Sequence, residues 1–187
     1  LCELLAEHGL VALPVHRLDR EVSGVLLLAR DAATRDALQD QFRAGSVRKV
    51  YWGMASGALE PETGELAFPI LEEPQGARVS ARGKPARTRY RTLTRFARAS
   101  ELELELLTGR KNQIRVHLAH VGHALVGERK YARGRDSALP LRSRRVALHA
   151  WRLACTHPGD GRKLLFEAPL PDELVELRAL AARDTRR

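Results

Sequence analysis

The chain has 187 residues, of which 44% are hydrophobic and 29% are charged, a globular composition that excludes wholesale disorder. No apolar run approaches the roughly 18 residues that a membrane span needs. The two cysteines, Cys2 and Cys155, are too few for a disulfide framework or a cysteine-rich zinc site. Together with the lack of a secretory signal at the start of the sequence, this favours a reducing cytoplasm.

The net charge of +9 is distributed unevenly along the chain. Residues 1–77 carry 7 basic and 12 acidic side chains, whereas residues 78–187 carry 25 basic and 11 acidic ones. A GC-rich genome would explain why 27 of the 32 basic residues are arginine, but not why the acidic residues concentrate in the first part. The asymmetry therefore favours a polyanionic partner, and nucleic acid above all.

The first part of the chain alternates between helical and extended patterns. Asp31 is a favourable N-cap, and Gly45 a favourable stop, for a helix between them. The run 48–55 is rich in residues that favour strands. The predicted elements are a helix over 1–8, a loop over 11–20, a buried strand over 24–29, a helix over 31–44 and a strand over 48–55.

The second part is dominated by strands. Residues 57–84 hold many Gly and Pro, which predicts a surface connection with one short strand over 66–70. Arg87, Arg89 and Arg91 would share one face of the strand that follows. The remaining predictions are strands over 86–96, 101–106, 146–154 and 163–167, helices over 112–121 and 171–180, and a frayed basic tail over 182–187. Many strands with few helices predict one α+β domain over 1–187, with a mainly antiparallel central sheet flanked by helices and loops.

A charged loop, HRLDREVSG over 16–24, leads into the predicted buried strand. Asp19 lies between Arg17 and Arg20, whose guanidiniums are expected to lower the pKa of its carboxyl and keep it ionised. Such a carboxylate can act as a nucleophile, as an anionic stabiliser or as half of a salt bridge. Without further context the salt bridge is the more frequent case.

A second segment, 107–123, places a basic turn at the start of a predicted helix. Arg110 and Lys111 would lie at the positive end of the helix dipole, which is unfavourable unless an anion such as a phosphate or a carboxylate docks there. A solvated basic turn is an equal alternative. Arg115 would lie one turn into the helix, at the edge of the buried stripe that contains Ile114.

The same segment holds His117, His120 and His123, whose spacing raises the question of a metal site. Gly122 is expected to end the helix before His123, and the HExxH pattern of zinc proteases is absent from the sequence. Structural histidines are therefore the expectation. A metal-dependent hydrolase is a weak alternative, which the metal content of the purified protein would test.

Tyr51 lies in the predicted strand 48–55, on the face opposite to Val50 and Trp52. An ordinary core aromatic is the default interpretation. An aromatic ring beside a basic groove can instead stack on a nucleobase.

Together these segments resemble the RluA-type family of RNA pseudouridine synthases, over roughly residues 11–170. HRLDREVSG is similar to the HRLDxxTSG loop that holds the family's catalytic aspartate, and RKVYWGMASG to the strand with its active-site tyrosine. LLTGRKNQIRVHLAHVGHALVGERKY resembles LxTGRxxQIRVHxxxxGHPIxGDxxY nearly end to end. LHAWRLACTHP and FEAPLP resemble the family's last strand pair. The order and length of these matches make the resemblance specific.

The resemblance implies an enzyme that isomerises uridine to pseudouridine in ribosomal or transfer RNA after flipping the base. It implies Asp19 as the nucleophile or charge stabiliser and Arg115 as its ion-pair partner. Tyr51 would stack on the uracil and is a candidate for removing a proton late in the reaction. The implied substrate-binding residues are Arg17, which would enter the gap left by the flipped base, Arg20, Arg110, Lys111 and Ile114, which would wall the pocket. No cofactor or metal is expected, because the isomerisation is redox-neutral, and a cytoplasmic monomer is expected.

The sequence also departs from the family pattern. Val22 stands where Thr is usual, Ala124 where Pro is usual, and Glu128 where Asp is usual. The family's upstream strand with Asn-Lys-Pro and any S4-like domain are missing, and the chain begins at Leu1 rather than Met, so we expect a fragment or a trimmed core. The alternative function is an RNA-binding module with this fold and little or no catalytic activity. The intact set of Asp19, Tyr51 and Arg115 favours the enzyme.

Overall fold

The computed structural model describes residues 2–132, 141 and 143–185. The helices of these residues are α1 (Cys2–Glu7), α2 (Ala32–Arg43), α3 (Gln113–His120) and α4 (Asp172–Asp184). The strands are β1 (Leu13–Pro14), β2 (Ser23–Gly24), β3 (Leu28–Ala29), β4 (Arg48–Ser56), β5 (Thr63–Leu66), β6 (Ile70–Glu73), β7 (Gly76–Val79), β8 (Thr88–Arg95), β9 (Ala99–Leu106), β10 (Leu148–Thr156) and β11 (Lys163–Glu167). None of the helices in this part of the chain is long and apolar enough to cross a membrane.

A mainly antiparallel sheet forms the centre of the fold. Its strand order is β11-β10-β4-β9-β8-β5, and β2 adds to β10 in parallel. The pairing of β4 with β9 runs from Val50 opposite Glu105 to Ser56 opposite Ala99. The predicted α+β class with a mainly antiparallel sheet is therefore confirmed.

The two faces of the central sheet carry separate apolar cores. On one face, Tyr51 packs against the cluster that contains Leu104 and Leu118 of α3. On the other face, Trp52 packs with the buried side of α4, which includes Leu174. The predicted division of Tyr51 and Trp52 between the two faces is confirmed, since strand residues alternate sides.

The face of the sheet that carries Trp52 also carries a ladder of arginine–glutamate pairs. The predicted sharing of one face by Arg87, Arg89 and Arg91 is confirmed, and each pairs with a glutamate of a neighbouring strand. The pairs are Arg87 with Glu65 at 2.5 Å, Arg89 with Glu105 at 3.2 Å, Arg91 with Glu103 at 3.2 Å and Arg48 with Glu105 at 2.8 Å. The positive charge of these four arginines is therefore largely offset by three glutamates, of which Glu105 is shared by Arg48 and Arg89.

The continuous strand predicted over 24–29 is wrong. The chain forms the short strand β2, leaves the sheet and forms β3, which pairs with β1. Gly24 has a φ of +118°, and a Cβ atom there would lie 2.2 Å from the carbonyl oxygen of Ala150. The apolar run results from packing rather than from one strand, since Val25 and Leu27 pack into a cluster with Leu38 of α2.

The region 57–84 holds more structure than its Gly and Pro content suggested. The strand predicted over 66–70 is wrong, because β5 ends at Leu66 and β6 begins at Ile70. Strands β6 and β7 form a two-stranded hairpin of their own. Ile70 anchors this hairpin with a fully buried side chain, whereas the outer residues of β6 are exposed glutamates.

The predicted fraying from residue 182 onward is wrong for the described part of the tail. Helix α4 continues to Asp184, and Thr185 follows it. The hydroxyl of Thr185 accepts a hydrogen bond from the backbone N–H of Ala97 at 2.9 Å. Residues 186–187 lie outside the described residues.

Candidate active site

A cavity of about 550 Å³ opens on the face of the sheet that carries Tyr51. The loop before β2, strand β4, the β6–β7 hairpin and the segment that leads into α3 all contribute to its wall. Seven of the eight predicted site residues line it: Arg17, Asp19, Tyr51, Arg110, Lys111, Ile114 and Arg115. Arg20, the eighth, is exposed and lies outside the cavity lining.

The loop that carries Asp19 is tied to the central sheet. The N–H of Val22 donates to the carbonyl of Asp19 at 2.9 Å, which closes a turn. The hydroxyl of Ser23 lies 2.7 Å from Nδ1 of His149, a buried side chain of β10. Asp19 is therefore positioned by the rigid sheet rather than by a free loop, which suits a group that must be held in a fixed geometry.

Burial raises the pKa of the Asp19 carboxyl above its ordinary value. Desolvation outweighs the positive charges of Arg115, Arg17 and Lys111, which act in the opposite direction. The prediction that Arg17 and Arg20 lower the pKa of the Asp19 carboxyl is therefore wrong. The charge of Arg17 does act in that direction, but burial has the larger effect, and Arg20 is exposed outside the cavity. A perturbed carboxyl in a cavity is typical of functional sites.

Arg115 forms ion pairs with two glutamates rather than with Asp19. Its Nε and Nη2 donate to Glu128 at 2.6 and 3.0 Å, and Nη2 also donates to Glu21 at 2.9 Å. The direct pair with Asp19 that the resemblance implied is replaced by these contacts. Arg115 still acts on Asp19 through space, because it is the largest of the charges that lower the pKa of the Asp19 carboxyl.

The buried carboxylate of Glu128 holds the guanidinium of Arg115 in place. The Glu128 side chain is 0% exposed, and its Oε1 accepts the backbone N–H groups of Lys130 at 2.8 Å and Tyr131 at 3.1 Å. Burial opposes both charges, but their pairing lowers the pKa of Glu128 and raises that of Arg115. Both groups are therefore ionised at neutral pH, and the guanidinium is held in one orientation.

Helix α3 begins later than predicted, at Gln113, with Asn112 as its N-cap in the left-handed region at φ +53°. Lys111 lies in the turn before the helix, where its N–H donates to Oε1 of Glu72 and its Nζ donates to the carbonyls of Glu73 and Pro74, each at 2.9 Å. Arg110 donates through Nε to the carbonyl of Pro85 at 3.1 Å. One expectation for this basic turn is a docked anion such as a carboxylate. The carboxylate of Glu72, from the β6–β7 hairpin, accepts a hydrogen bond there.

Tyr51 and Ile114 form an apolar part of the cavity wall. Both belong to the apolar cluster on this face of the sheet. Burial and the negative charge of Asp19 raise the pKa of Tyr51 to about 12. The Tyr51 hydroxyl is therefore protonated at neutral pH, and the ring offers a flat surface to a bound ligand.

The histidines of the α3 segment are hydrogen-bonded separately. His117 is buried between the hydroxyl of Thr88 at 3.0 Å and the carbonyl of Phe68 at 2.9 Å, and Nδ1 of His123 lies 2.8 Å from the carbonyl of Ser56. The ring of His120, an exposed residue, contacts that of Phe68. Within the described residues, no group of three His, Cys, Asp or Glu side chains is arranged to hold a metal ion.

Sequence reasoning missed five polar residues of the cavity lining: His16, Lys49, Glu72, Asn112 and Gln113. Lys49 could have been found, since it lies two residues before Tyr51 and therefore on the same face of β4. Glu72 could not, because its hairpin was not predicted. His16 accepts the N–H of Leu27 at 3.0 Å and shapes the end of the cavity.

A family model for RNA pseudouridylate synthase matches residues 3–120 of this chain. The chain therefore belongs to the RNA pseudouridylate synthase family. Among its relatives, it is 43% identical over 173 residues to an uncharacterised RNA pseudouridine synthase of Chloroflexus aurantiacus, covering 90% of this chain and 54% of that protein. It is 41% identical over 172 residues to the ribosomal large subunit pseudouridine synthase D of Nitrosomonas europaea, covering 87% of this chain and 49% of that protein.

A solved structure shares the fold of this chain. The human RNA pseudouridylate synthase domain containing 4 superposes with a TM-score of 0.79 at 24% identity, covering 97% of this chain and 80% of that one. The predicted pseudouridine synthase fold is therefore confirmed. The chain spans about half the length of the curated relatives that it matches.

Proposed function

We propose that this chain converts specific uridines in structured RNA to pseudouridine, and that large-subunit ribosomal RNA is its substrate. The observation that carries the proposal is the cavity lined by Asp19, Tyr51 and Arg115 in a member of the RNA pseudouridylate synthase family. The names of relatives from Nitrosomonas europaea and Vibrio cholerae, both ribosomal large subunit pseudouridine synthases, support the choice of RNA.

The reaction breaks the N1–C1′ bond of uridine, turns the base and joins C5 to C1′; C5 then loses its proton and N1 gains one, so the product is an isomer of the substrate. No atom is lost and no electron is transferred, so the proposed chemistry needs only groups that position the base and manage charge. The target uracil must leave its stack before it can enter the cavity, which costs a few kcal/mol. Arg17, an exposed cation of the cavity lining, is proposed to fill the gap that the base leaves.

Asp19 is proposed as the group that acts on the uridine, as a nucleophile or as an anion that stabilises positive charge on the sugar. Its buried carboxyl must ionise to do so, and the positive charge of Arg115 lowers the free energy of that step. Glu21 and Glu128 hold Arg115 in its place beside the cavity. Arg115 is therefore proposed to act on Asp19 by charge across the cavity rather than by a direct ion pair.

Mapping pseudouridines in total RNA from cells with and without the gene tests the proposed function. We expect one or more uridines of the large-subunit ribosomal RNA to lose the modification on deletion and to regain it with the wild-type gene. An RNA-binding module without activity would bind the same RNA but leave the map unchanged. An unchanged map would therefore contradict the proposal.

Replacing Tyr51 separates stacking on the base from proton transfer. Because a phenol with a pKa of about 12 is a poor base at neutral pH, the ring is proposed to contribute more to binding than to proton removal. Tyr51→Phe keeps the ring, and we expect RNA affinity within about twofold of wild type and a slower single-turnover rate. Tyr51→Ala should lose a further 1–3 kcal/mol of binding free energy, about the value of one base–aromatic stack.

The two variants of Tyr51 also test whether its role is chemical. A full rate in Tyr51→Phe would remove the hydroxyl from the chemistry and leave Tyr51 as a stacking surface. Wild-type rate and affinity in Tyr51→Ala would make Tyr51 a core residue with no part in catalysis. The measurements are single-turnover rate and dissociation constant on one substrate RNA.

A further inference from the structure

Lys49 is a half-buried lysine of the candidate active site that the proposed function leaves without a role. Lys49 lies on β4, two residues before Tyr51, and both residues line the same cavity. The two side chains project from the same face of the central sheet. The ammonium group of Lys49 is therefore directed toward the cavity rather than toward bulk solvent.

Within the described part of the chain, Lys49 differs from Arg110, Lys111 and Arg115 in having no hydrogen-bond or ion-pair partner, and from Arg17, which is also unpaired, in being half-buried rather than exposed. Arg115 is held by Glu21 and Glu128, and Lys111 by the carbonyls of the hairpin. Among the residues that the structure describes, no acceptor lies within hydrogen-bond or ion-pair distance of Lys49 Nζ. Burial lowers the pKa of the Lys49 ammonium, and no neighbouring carboxylate raises it. A partly desolvated, unpaired cation is costly unless a bound anion completes it.

The ammonium of Lys49 lies at the part of the cavity wall that Gly109 forms. The charges that act on Asp19 are those of Arg115, Arg17, Lys111 and Glu128, and Lys49 is not among them. Lys49 instead lowers the pKa of His16. A Cβ atom added at Gly109 would lie 3.8 Å from Lys49 Nζ, which places the ammonium beside the turn that precedes α3.

We propose that Lys49 binds a backbone phosphate adjacent to the target uridine, an inference that rests on the proposed function. Uracil and ribose are neutral, so the phosphates on either side of the target sugar are the anions that the substrate brings to the cavity. When the C1′ atom of that sugar lies at Asp19, a flanking phosphate extends away from Asp19 along the RNA backbone. An ammonium without a partner in the cavity lining, beside the turn that precedes α3, is suited to receive it.

The first test compares three variants on a synthetic stem–loop that contains a mapped target uridine. Lys49→Met keeps the length of the side chain and removes the charge, and Lys49→Arg keeps the charge. Arg183→Met is a matched control, because it removes an exposed cation from α4, which packs on the opposite face of the sheet. The measurements are the dissociation constant as a function of salt concentration and the melting temperature of each variant.

We expect Lys49→Met to bind the stem–loop about 10- to 100-fold more weakly, as for the loss of one charged hydrogen bond. The slope of log affinity against log salt should fall by about one unit, as for one phosphate contact. Lys49→Arg should retain the slope, and Arg183→Met should match wild type in both quantities. Melting of Lys49→Met at or above the wild-type temperature would show that the loss is not caused by misfolding.

A second test locates the contact on the RNA. Stem–loops with a single neutral methylphosphonate, placed 5′ or 3′ of the target uridine, remove one charge from the substrate. We expect one of these positions to weaken wild-type binding as much as Lys49→Met does, with no further loss when the two changes are combined. Additive losses at both positions would show that Lys49 does not contact either phosphate.

The outcomes separate this inference from the proposed function. If wild type forms pseudouridine and Lys49→Met binds the stem–loop with unchanged affinity and salt slope, the phosphate contact is overturned and the proposed function stands. If wild type forms no pseudouridine on any RNA, the proposed function fails, and the assignment of Lys49 fails with it.

Discussion

Asp19→Asn is expected to reduce pseudouridine formation by at least about 1000-fold while leaving RNA binding within a fewfold of wild type. Asn has nearly the shape of Asp but cannot supply an anion, so the substitution removes the charge without removing the contact surface. Single-turnover pseudouridine formation on the mapped stem–loop measures the effect. A rate near that of wild type would show that Asp19 has no chemical role.

The same substitution should stabilise the fold at neutral pH. Burial raises the folded-state pKa of the Asp19 carboxyl above its unfolded value, so ionised Asp19 destabilises the folded state. The variant should have a larger free energy of unfolding than wild type. This difference should be absent below the pKa of Asp19 in the unfolded chain, grow as pH rises through its pKa in the folded state, and stay constant above that. Thermal unfolding at several pH values measures this difference. A lower melting temperature for Asp19→Asn at pH 7 would contradict it.

Asp36→Asn is a suitable control for both measurements. Asp36 is an exposed carboxylate of α2 that pairs with Arg35 at 2.8 Å, and it is not part of the cavity lining. Exposed pairs of this kind contribute little to stability. We therefore expect wild-type activity and a nearly unchanged melting temperature for this variant.

Arg115→Met is expected to lose both activity and stability. The substitution leaves the Glu128 carboxylate, which is 0% exposed, without the guanidinium that neutralises it. Removing one member of a buried ion pair typically costs about 3–5 kcal/mol of folding free energy. Activity should fall by about 100-fold or more, because Asp19 loses the largest charge that favours its ionised form.

The pH dependence of Arg115→Met follows from the loss of this pair. In wild type the pairing lowers the pKa of Glu128, so its stabilising effect is present at neutral pH and lost as pH falls through that pKa. In the variant the guanidinium no longer opposes burial, so the pKa of Glu128 rises above its wild-type value, although the backbone N–H groups of Lys130 and Tyr131 still lower it. The stability gap between wild type and variant should therefore narrow as the pH is lowered, and the remaining activity should shift to higher pH with the pKa of Asp19.

Arg178→Met provides the matched control for Arg115→Met. Arg178 also pairs with a buried glutamate, Glu101, at 3.1 Å, but it does so on α4, on the other face of the sheet. The Arg178 side chain is 53% exposed, whereas that of Arg115 is 6% exposed, so the pair of Arg178 with Glu101 is more screened by solvent. We expect a smaller loss of stability and full activity per folded molecule. An equal loss of activity in both variants would mean that Arg115 acts only through folding.

The sequence predicted those parts of the fold and site that depend on local pattern. The alternation in β4 separates Tyr51 from Trp52, and the Glu–Leu alternation in β9 identifies a central strand. Asp31 also caps α2 as expected, with its carboxylate accepting the N–H of Thr34 at 2.7 Å. These features follow from residues a few positions apart, and propensity and periodicity are informative over that range.

The parts that were missed depend on contacts distant in the chain. The choice of Glu128 and Glu21 over Asp19 as partners of Arg115 is set by how two separate loops approach α3. The balance that raises the pKa of Asp19 depends on burial, which a neighbouring pair of arginines in the sequence cannot reveal. Strand β2 ends at Gly24 because β10 approaches closely there. The contact is with Ala150, which lies 126 residues further along the chain.

The arginine–glutamate ladder on the far face of the sheet affects how RNA would approach the protein. Because Arg87, Arg89 and Arg91 each have a glutamate beside them, that face projects only a weak long-range field despite its many arginines. Arg17 and Lys49, which line the cavity, have no ion-pair partner among the described residues. For the proposed RNA substrate, the ladder face therefore offers little net attraction, and contact with the unpaired cations of the cavity lining is favoured over contact with that face.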